Sequence, residues 1–192
     1  MAALLDDRAE TPPPATKLLV VVTAANELQA TSARIELAKR SLPAHTKTIA
    51  VADPAGRRIG SGGGTLNALK AARDLLGDAW LDDRLVLIIH SGGDSQRAPS
   101  QSVCGKAWSL LPTVPPKAPV DLLIEQLLKL CAGARGVVVA CGDVLLKLPD
   151  EPGSLANQGV TGLAVPAPKD YGTRHGVYVS QEGRCSSYLQ KA

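Results

Sequence analysis

Six consecutive residues, Gly60, Ser61, Gly62, Gly63, Gly64 and Thr65, run straight into a helix expected over residues 66–76. Glycines this dense let a turn present successive backbone N–H groups with no side chains in the way. The helix behind adds its own unpaired amides and the positive end of its dipole, so the segment reads as a phosphate cradle. A flexible linker or a tight turn is the alternative. No Gly-Lys-Ser/Thr follows, which excludes a Walker loop. A dinucleotide fingerprint fails because Thr65 stands where the third glycine is needed, and no ribose-binding acid follows at the usual spacing.

A second segment, Ser91-Gly-Gly-Asp-Ser-Gln-Arg-Ala-Pro99, leads on to Gly105-Lys106. Here Gly92, Gly93 and Ser95 could wrap phosphates. Arg97 brings a guanidinium fork and Lys106 a point charge, both suited to phosphate oxygens. An ordinary surface loop with two cations is the alternative. A third candidate is Asp143, after Gly142 at the end of an apolar run. A carboxylate there could hold Mg²⁺, which keeps most of its waters and bridges phosphates; it could equally cap a turn. A fourth is the stretch Tyr171-Gly-Thr-Arg-His-Gly-Val-Tyr178, where Arg174 could meet a phosphate and Gly176 could bring backbone close to a ligand. His175 is read first as a half-buried, hydrogen-bonded histidine and only second as a ligand or proton carrier. No Ser/His/Asp arrangement or metal-binding His/Cys cluster stands out, so hydrolase and zinc chemistry are poor fits.

The elements that must carry these residues alternate. Residues 18–22 form a continuous apolar, β-branched run, expected to be a central strand buried on both faces. A helix follows over 26–40, its apolar positions Leu28, Ile35, Leu37 and Ala38 at helical spacing. Further strands are expected over 46–52, 84–90, 136–141, 160–165 and 176–179, and an amphipathic helix over 120–131. Residues 100–118 read as loop. Alternation of this kind predicts an α/β fold with a mostly parallel sheet flanked by helices. Glycine-rich loops after parallel strands then fall on one carboxyl edge. Residues 1–16, acidic and then Pro-rich, read as a flexible leader, and 17–192 as the nucleotide-binding part of an incomplete domain. A sheet cut short at its C-terminal side would leave an unpaired edge and poor solubility.

Composition bounds the partners. The 192 residues carry 21 basic and 18 acidic side chains, a net charge of +3, which is too even to argue for a polyanion. Aromatic residues make up 3%, too few for a single-strand nucleic-acid platform. No apolar run approaches a membrane span, the start lacks a signal-peptide pattern, and a cytoplasmic protein is expected. The four cysteines show no C-x-x-C spacing, and three sit in or beside apolar stretches and read as core residues. Oligomeric state is not encoded in any of these features.

Taken together, Gly60-Ser-Gly-Gly-Gly-Thr-Leu-Asn-Ala-Leu69 resembles the glycine-rich segment of the L-fucokinase/GDP-fucose pyrophosphorylase family. His90-Ser-Gly-Gly-Asp-Ser-Gln-Arg-Ala-Pro99 with Gly105-Lys106 is similar to that family's second signature. Val20-Val-Val-Thr-Ala-Ala25 is similar to its first strand. Residues 175–179 and 188–191 look like the sugar nucleotidyltransferase pattern, with Ala192 where that pattern has Pro. The resemblance implies a sugar nucleotidyltransferase-like, Rossmann-like fold. It implies GMP transfer from GTP to L-fucose 1-phosphate with Mg²⁺, in the context of a bifunctional fucokinase in larger members. Residues 60–65 with Gly92 and Gly93 would hold nucleotide, Arg97 and Lys106 would stabilise phosphates, and Asp143 would match the metal-binding Asp. Arg174, His175 and Gly176 would lie on the sugar-phosphate side. The alternatives are a non-catalytic nucleotide-binding fragment, or a nucleotidyltransferase for another sugar phosphate or nucleotide.

Overall fold

The computed structural model describes residues 17–55, 57–91, 99–150, 155–156, 158–181 and 183–190. The expected leader over 1–16 lies outside them, as do Gly92, Gly93, Ser95 and Arg97. The chain divides into two compact units, residues 1–153 and residues 154–192.

The first unit is built on four parallel strands: β1 (Lys17–Ala24), β2 (Lys47–Ala52), β3 (Arg84–His90) and β4 (Gly136–Cys141). Their order in the sheet is β2-β1-β3-β4. β1 is the apolar run KLLVVVTA, and every residue after Lys17 is buried, as a central strand with both faces covered requires. Three helices connect the strands: α1 (Glu27–Ala38), α2 (Gly60–Leu76) and α3 (Pro119–Leu130). The chain moves from β1 to one neighbour, β2, then crosses back to the other, β3. With right-handed crossovers, that reversal puts α1 and α2 on opposite faces. α2 lays Ala68 and Ala72 on Leu19, Val21, Val86 and Ile88, with Leu69, Leu76, Trp80 and Leu81 packed around them. The other face carries Leu18, Val20, Val22, Leu87 and Ile89, all buried.

α1 starts where Asn26 accepts a hydrogen bond from Gln29 N–H at 2.9 Å, a side-chain cap on an otherwise unpaired amide. The helix buries Gln29, Ala30, Ala33 and Leu37, whereas Leu28 and Ile35, expected on its apolar face, are exposed. Small residues take the buried side because α1 sits close against the sheet. α3 opens with Pro119 in its first turn and with the Asp121 carboxylate accepting Ala118 N–H at 2.7 Å. Asp121 also receives Arg40 Nε at 3.0 Å, so the chain just past α1 is tied to the start of α3.

One strand expectation fails and one strand is added. Residues 160–165 form no strand, and Val160, Leu163 and Val165 are exposed. The strand expected over 176–179 is present as β5 (Gly176–Gln181), and it pairs antiparallel in the second unit with β6 (Arg184–Gln190), which was not expected. Of the cysteines, only Cys131 is buried; Cys104 is half-buried, and Cys141 and Cys185 are exposed, so three are not core residues.

Candidate active site

In an open parallel sheet the crevice for a ligand lies beyond the carboxyl ends of the strands, where the strand order reverses. Here that point is between β1 and β3. Thr23, next to last in β1, and His90, the last residue of β3, stand directly opposite one another in register. A pocket of about 220 Å³ opens there, lined by Thr23, Ala24, Asp53, Arg58, Gly60, Ser61, Gly64 and His90.

The glycine-rich segment is not a loop ahead of a helix but the first turn of α2 itself. Gly60 starts it with φ +67°, a left-handed backbone that favours glycine. Gly64 lies against the histidine: a methyl group built on it would stand 3.3 Å from His90 Cε1. Among the described residues no side chain caps this helix, whose N-cap position is Ile59, which leaves first-turn amides for another partner. Glycines cost helix stability. Here the packing of Ala68 and Ala72 further along carries the turn.

One hydrogen-bonded chain fixes the pocket floor. The Thr65 hydroxyl donates to the Ser61 carbonyl at 2.9 Å. Its oxygen also lies 2.9 Å from His90 Nε2, and having spent its proton it must accept there. His90 therefore carries its proton on Nε2, and Nδ1 accepts from the Thr23 hydroxyl at 2.9 Å. Burial pushes the His90 pKa below the usual histidine value, against an opposing pull from Asp53, which agrees with a neutral ring. Asp53 follows β2, and its backbone N–H bonds Ala24 O at 2.8 Å. Among the described residues its carboxylate has only a long approach, 3.5 Å, from Ile59 N–H.

Lys106 opens a short 3-10 turn, Lys106–Trp108, in which Ala107 and Trp108 are buried. The turn is set on the carboxyl edge by its neighbours. Gly105 comes close to the Ser91 hydroxyl, and Gly142, just past β4, comes close to Ala107, Ile89 and the His90 carbonyl. Gly142 N–H bonds that carbonyl at 2.8 Å. Gln29, buried at the start of α1, donates from Nε2 to Ser102 O at 3.1 Å and so anchors the approach to Lys106. Lys106 and Asp143 are thereby carried by adjacent turns at the ends of β3 and β4. Neither side chain has a hydrogen bond or ion pair among the described residues. Asp143 thus makes no turn-capping hydrogen bond there.

In the second unit Arg174 lies over the Tyr171 ring, 5.6 Å from its centroid, and His175 stacks on the same ring at 6.1 Å. His175 is exposed, not half-buried as expected. A side chain at Gly176 would collide with the Tyr188 hydroxyl, so this glycine serves the hairpin's own packing.

Among the described residues no group of three or more His, Cys, Asp or Glu is placed to hold a metal ion, and no helix is long and apolar enough to cross a membrane. Residues missed from the sequence are Thr23, Asp53, Arg58 and His90. Each ends or follows a strand, and only the sheet topology brings them together.

The model of the fucose pyrophosphorylase domain matches residues 78–192. A Mus musculus protein named fucose-1-phosphate guanylyltransferase is 38% identical over 170 residues, covering 84% of this chain and 29% of that protein. Its Homo sapiens counterpart of the same name is 35% identical over 173 residues, covering 84% and 28%. An Arabidopsis thaliana bifunctional fucokinase/GDP-fucose pyrophosphorylase is 32% identical over 203 residues, covering 85% and 19%. No solved structure matches. The chain spans less than a third of the length of these relatives. On the family match and these identities, the chain belongs to the fucose pyrophosphorylase domain family.

Proposed function

We propose that this chain is the nucleotide-binding part of a fucose-1-phosphate guanylyltransferase, which moves GMP from GTP to L-fucose 1-phosphate and releases pyrophosphate. The observation that carries this reading is the crevice where the strand order reverses. The uncapped first turn of α2 lies at its β1–β3 end, and Lys106 and Asp143 lie on the same carboxyl edge. The names of the mouse and human relatives supply the reaction.

The first turn of α2 and residues 92–106 hold the nucleotide. A phosphate oxygen of the sugar phosphate attacks the α-phosphorus in line, and pyrophosphate departs from the opposite side. No covalent enzyme intermediate is needed. The protein contributes position and charge neutralisation, from Lys106 and, in the segment outside the described residues, Gly92, Gly93, Ser95 and Arg97. Asp143 suits Mg²⁺: it is an exposed hard oxygen donor without a competing hydrogen bond among the described residues, and Mg²⁺ takes one or two carboxylates plus phosphate oxygens. When bound, that ion would neutralise phosphate charge. Arg174 and His175 are assigned to the sugar-phosphate side. Four unpaired cysteines are compatible with a reducing, cytoplasmic setting.

Incubating the protein with Mg²⁺, GTP and L-fucose 1-phosphate and resolving GDP-fucose by chromatography tests the reading. Product formed with GTP and reduced by Lys106→Ala is expected. A sample that binds GTP with Mg²⁺ yet makes no product would support the non-catalytic alternative.

A further inference from the structure

The pocket at the β1–β3 reversal contains an acid, and that divides the labour of the two glycine-rich segments. Of the eight lining residues among those described, Asp53 is the one carboxylate and Arg58 the one cation. Arg58 lines the same pocket and has a partner of its own, so acid and base offset and no surplus positive charge marks it for phosphate. At about 220 Å³ the pocket is also smaller than the roughly 300–1,000 Å³ of sites that engulf whole ligands, so it takes one part of a nucleotide. The Thr23 hydroxyl, both His90 nitrogens and the Thr65 hydroxyl are engaged with one another and with Ser61 O. Among the described residues, what remains to face a ligand is the Asp53 carboxylate, two acceptors approached by Ile59 N–H at a long 3.5 Å, and the uncapped amides at the start of α2.

Two acceptors beside a donor complement one base edge. Guanine presents N2–H and N1–H, two donors side by side, and then the O6 acceptor. Adenine puts the N1 lone pair against the carboxylate, and uracil and cytosine put carbonyl oxygens there. We propose that Asp53 is the base-reading residue: its carboxylate accepts N1–H and N2–H of guanine while a first-turn amide of α2 donates to O6. The phosphates then lie toward Lys106. This inference rests on the guanylyltransferase reading and assigns its specificity to one side chain.

The test compares nucleoside triphosphates bound to the 192-residue protein in Mg²⁺ by calorimetry. For the unaltered protein, inosine triphosphate, which lacks only the 2-amino group, is expected to bind about tenfold or more weaker than GTP, as loss of a hydrogen bond to a charged acceptor implies. Asp53→Asn is expected to weaken GTP and to strengthen xanthosine triphosphate, whose C2 carbonyl meets the new amide N–H₂. That gain also shows that the variant is folded. Equal binding of GTP and inosine triphosphate by the unaltered protein would overturn the role of Asp53 without a mutation. So would an Asp53→Asn variant that keeps its GTP preference, while GTP selectivity over ATP and UTP leaves the guanylyltransferase reading standing. No preference for GTP over ATP or UTP would sink both.

Discussion

At the residue scale, the site depends on side chains whose hydrogen bonds are already spent and on a few that are free. His90 is held neutral between two threonines, and burial lowers its pKa. The unfolded chain, with an ordinary histidine pKa near about 6.5, takes up a proton first as pH falls. Stability from this group is therefore complete above that value, declines as pH drops through it, and levels off below the depressed folded value. Urea unfolding between about pH 8 and 5 should show this slope, and His90→Gln should flatten it. Lys106 makes the opposite prediction. Its ammonium has no partner among the described residues, so Lys106→Ala should leave the unliganded midpoint within about 0.5 kcal/mol of the parent. The same variant should lose most of the shift that GTP produces in a melting curve.

At the element scale, the first turn of α2 is where backbone and site make conflicting demands. A methyl group on Gly62 meets open space, so Gly62→Ala should stabilise the fold by about 0.5–1 kcal/mol. Gly60, with positive φ, should lose about 1–2 kcal/mol as alanine, and Gly64→Ala should press on His90. Chemical denaturation of the three variants checks the ordering. Gln29→Ala should cost about 1–3 kcal/mol, since Gln29 is buried and holds Ser102 O. Much of this level was legible beforehand. The apolar runs at 18–22 and 84–90 declared the central parallel strands, because strands buried in a sheet read as continuous β-branched stretches, and the run at 136–141 declared β4 although it is an edge strand with alternate residues exposed. Glycines hid the start of α2, since their low propensity argues for loop while packing by Ala68 and Ala72 decides for helix. Polar Arg184–Gln190 gave little strand signal, and the apolar residues at 160–165 found no sheet to join. Gly60 and Lys106 were visible because local spacing marks them. Asp53 and His90 were not singled out, because three separate strand ends must converge before they share a pocket.

At the scale of the whole molecule, the parallel sheet of the first unit has β2 and β4 at its edges. Val137 and Val139 of β4 are exposed on the face that α2 covers elsewhere, with Val144 and Leu145 exposed nearby in sequence. Exposed apolar surface at a strand edge favours association. Sedimentation of the 192-residue chain should show concentration-dependent self-association, reduced by Val139→Lys. The central claim concerns the nucleotide, and thermal unfolding in Mg²⁺ with GTP, UTP, ATP or GDP-fucose addresses it most directly. Ligand that binds only the folded state raises the midpoint by mass action. The account predicts a rise selective for GTP and GDP-fucose, and largely lost in Lys106→Ala. Equal shifts with all three triphosphates, or none in a sample that melts cooperatively, would contradict it.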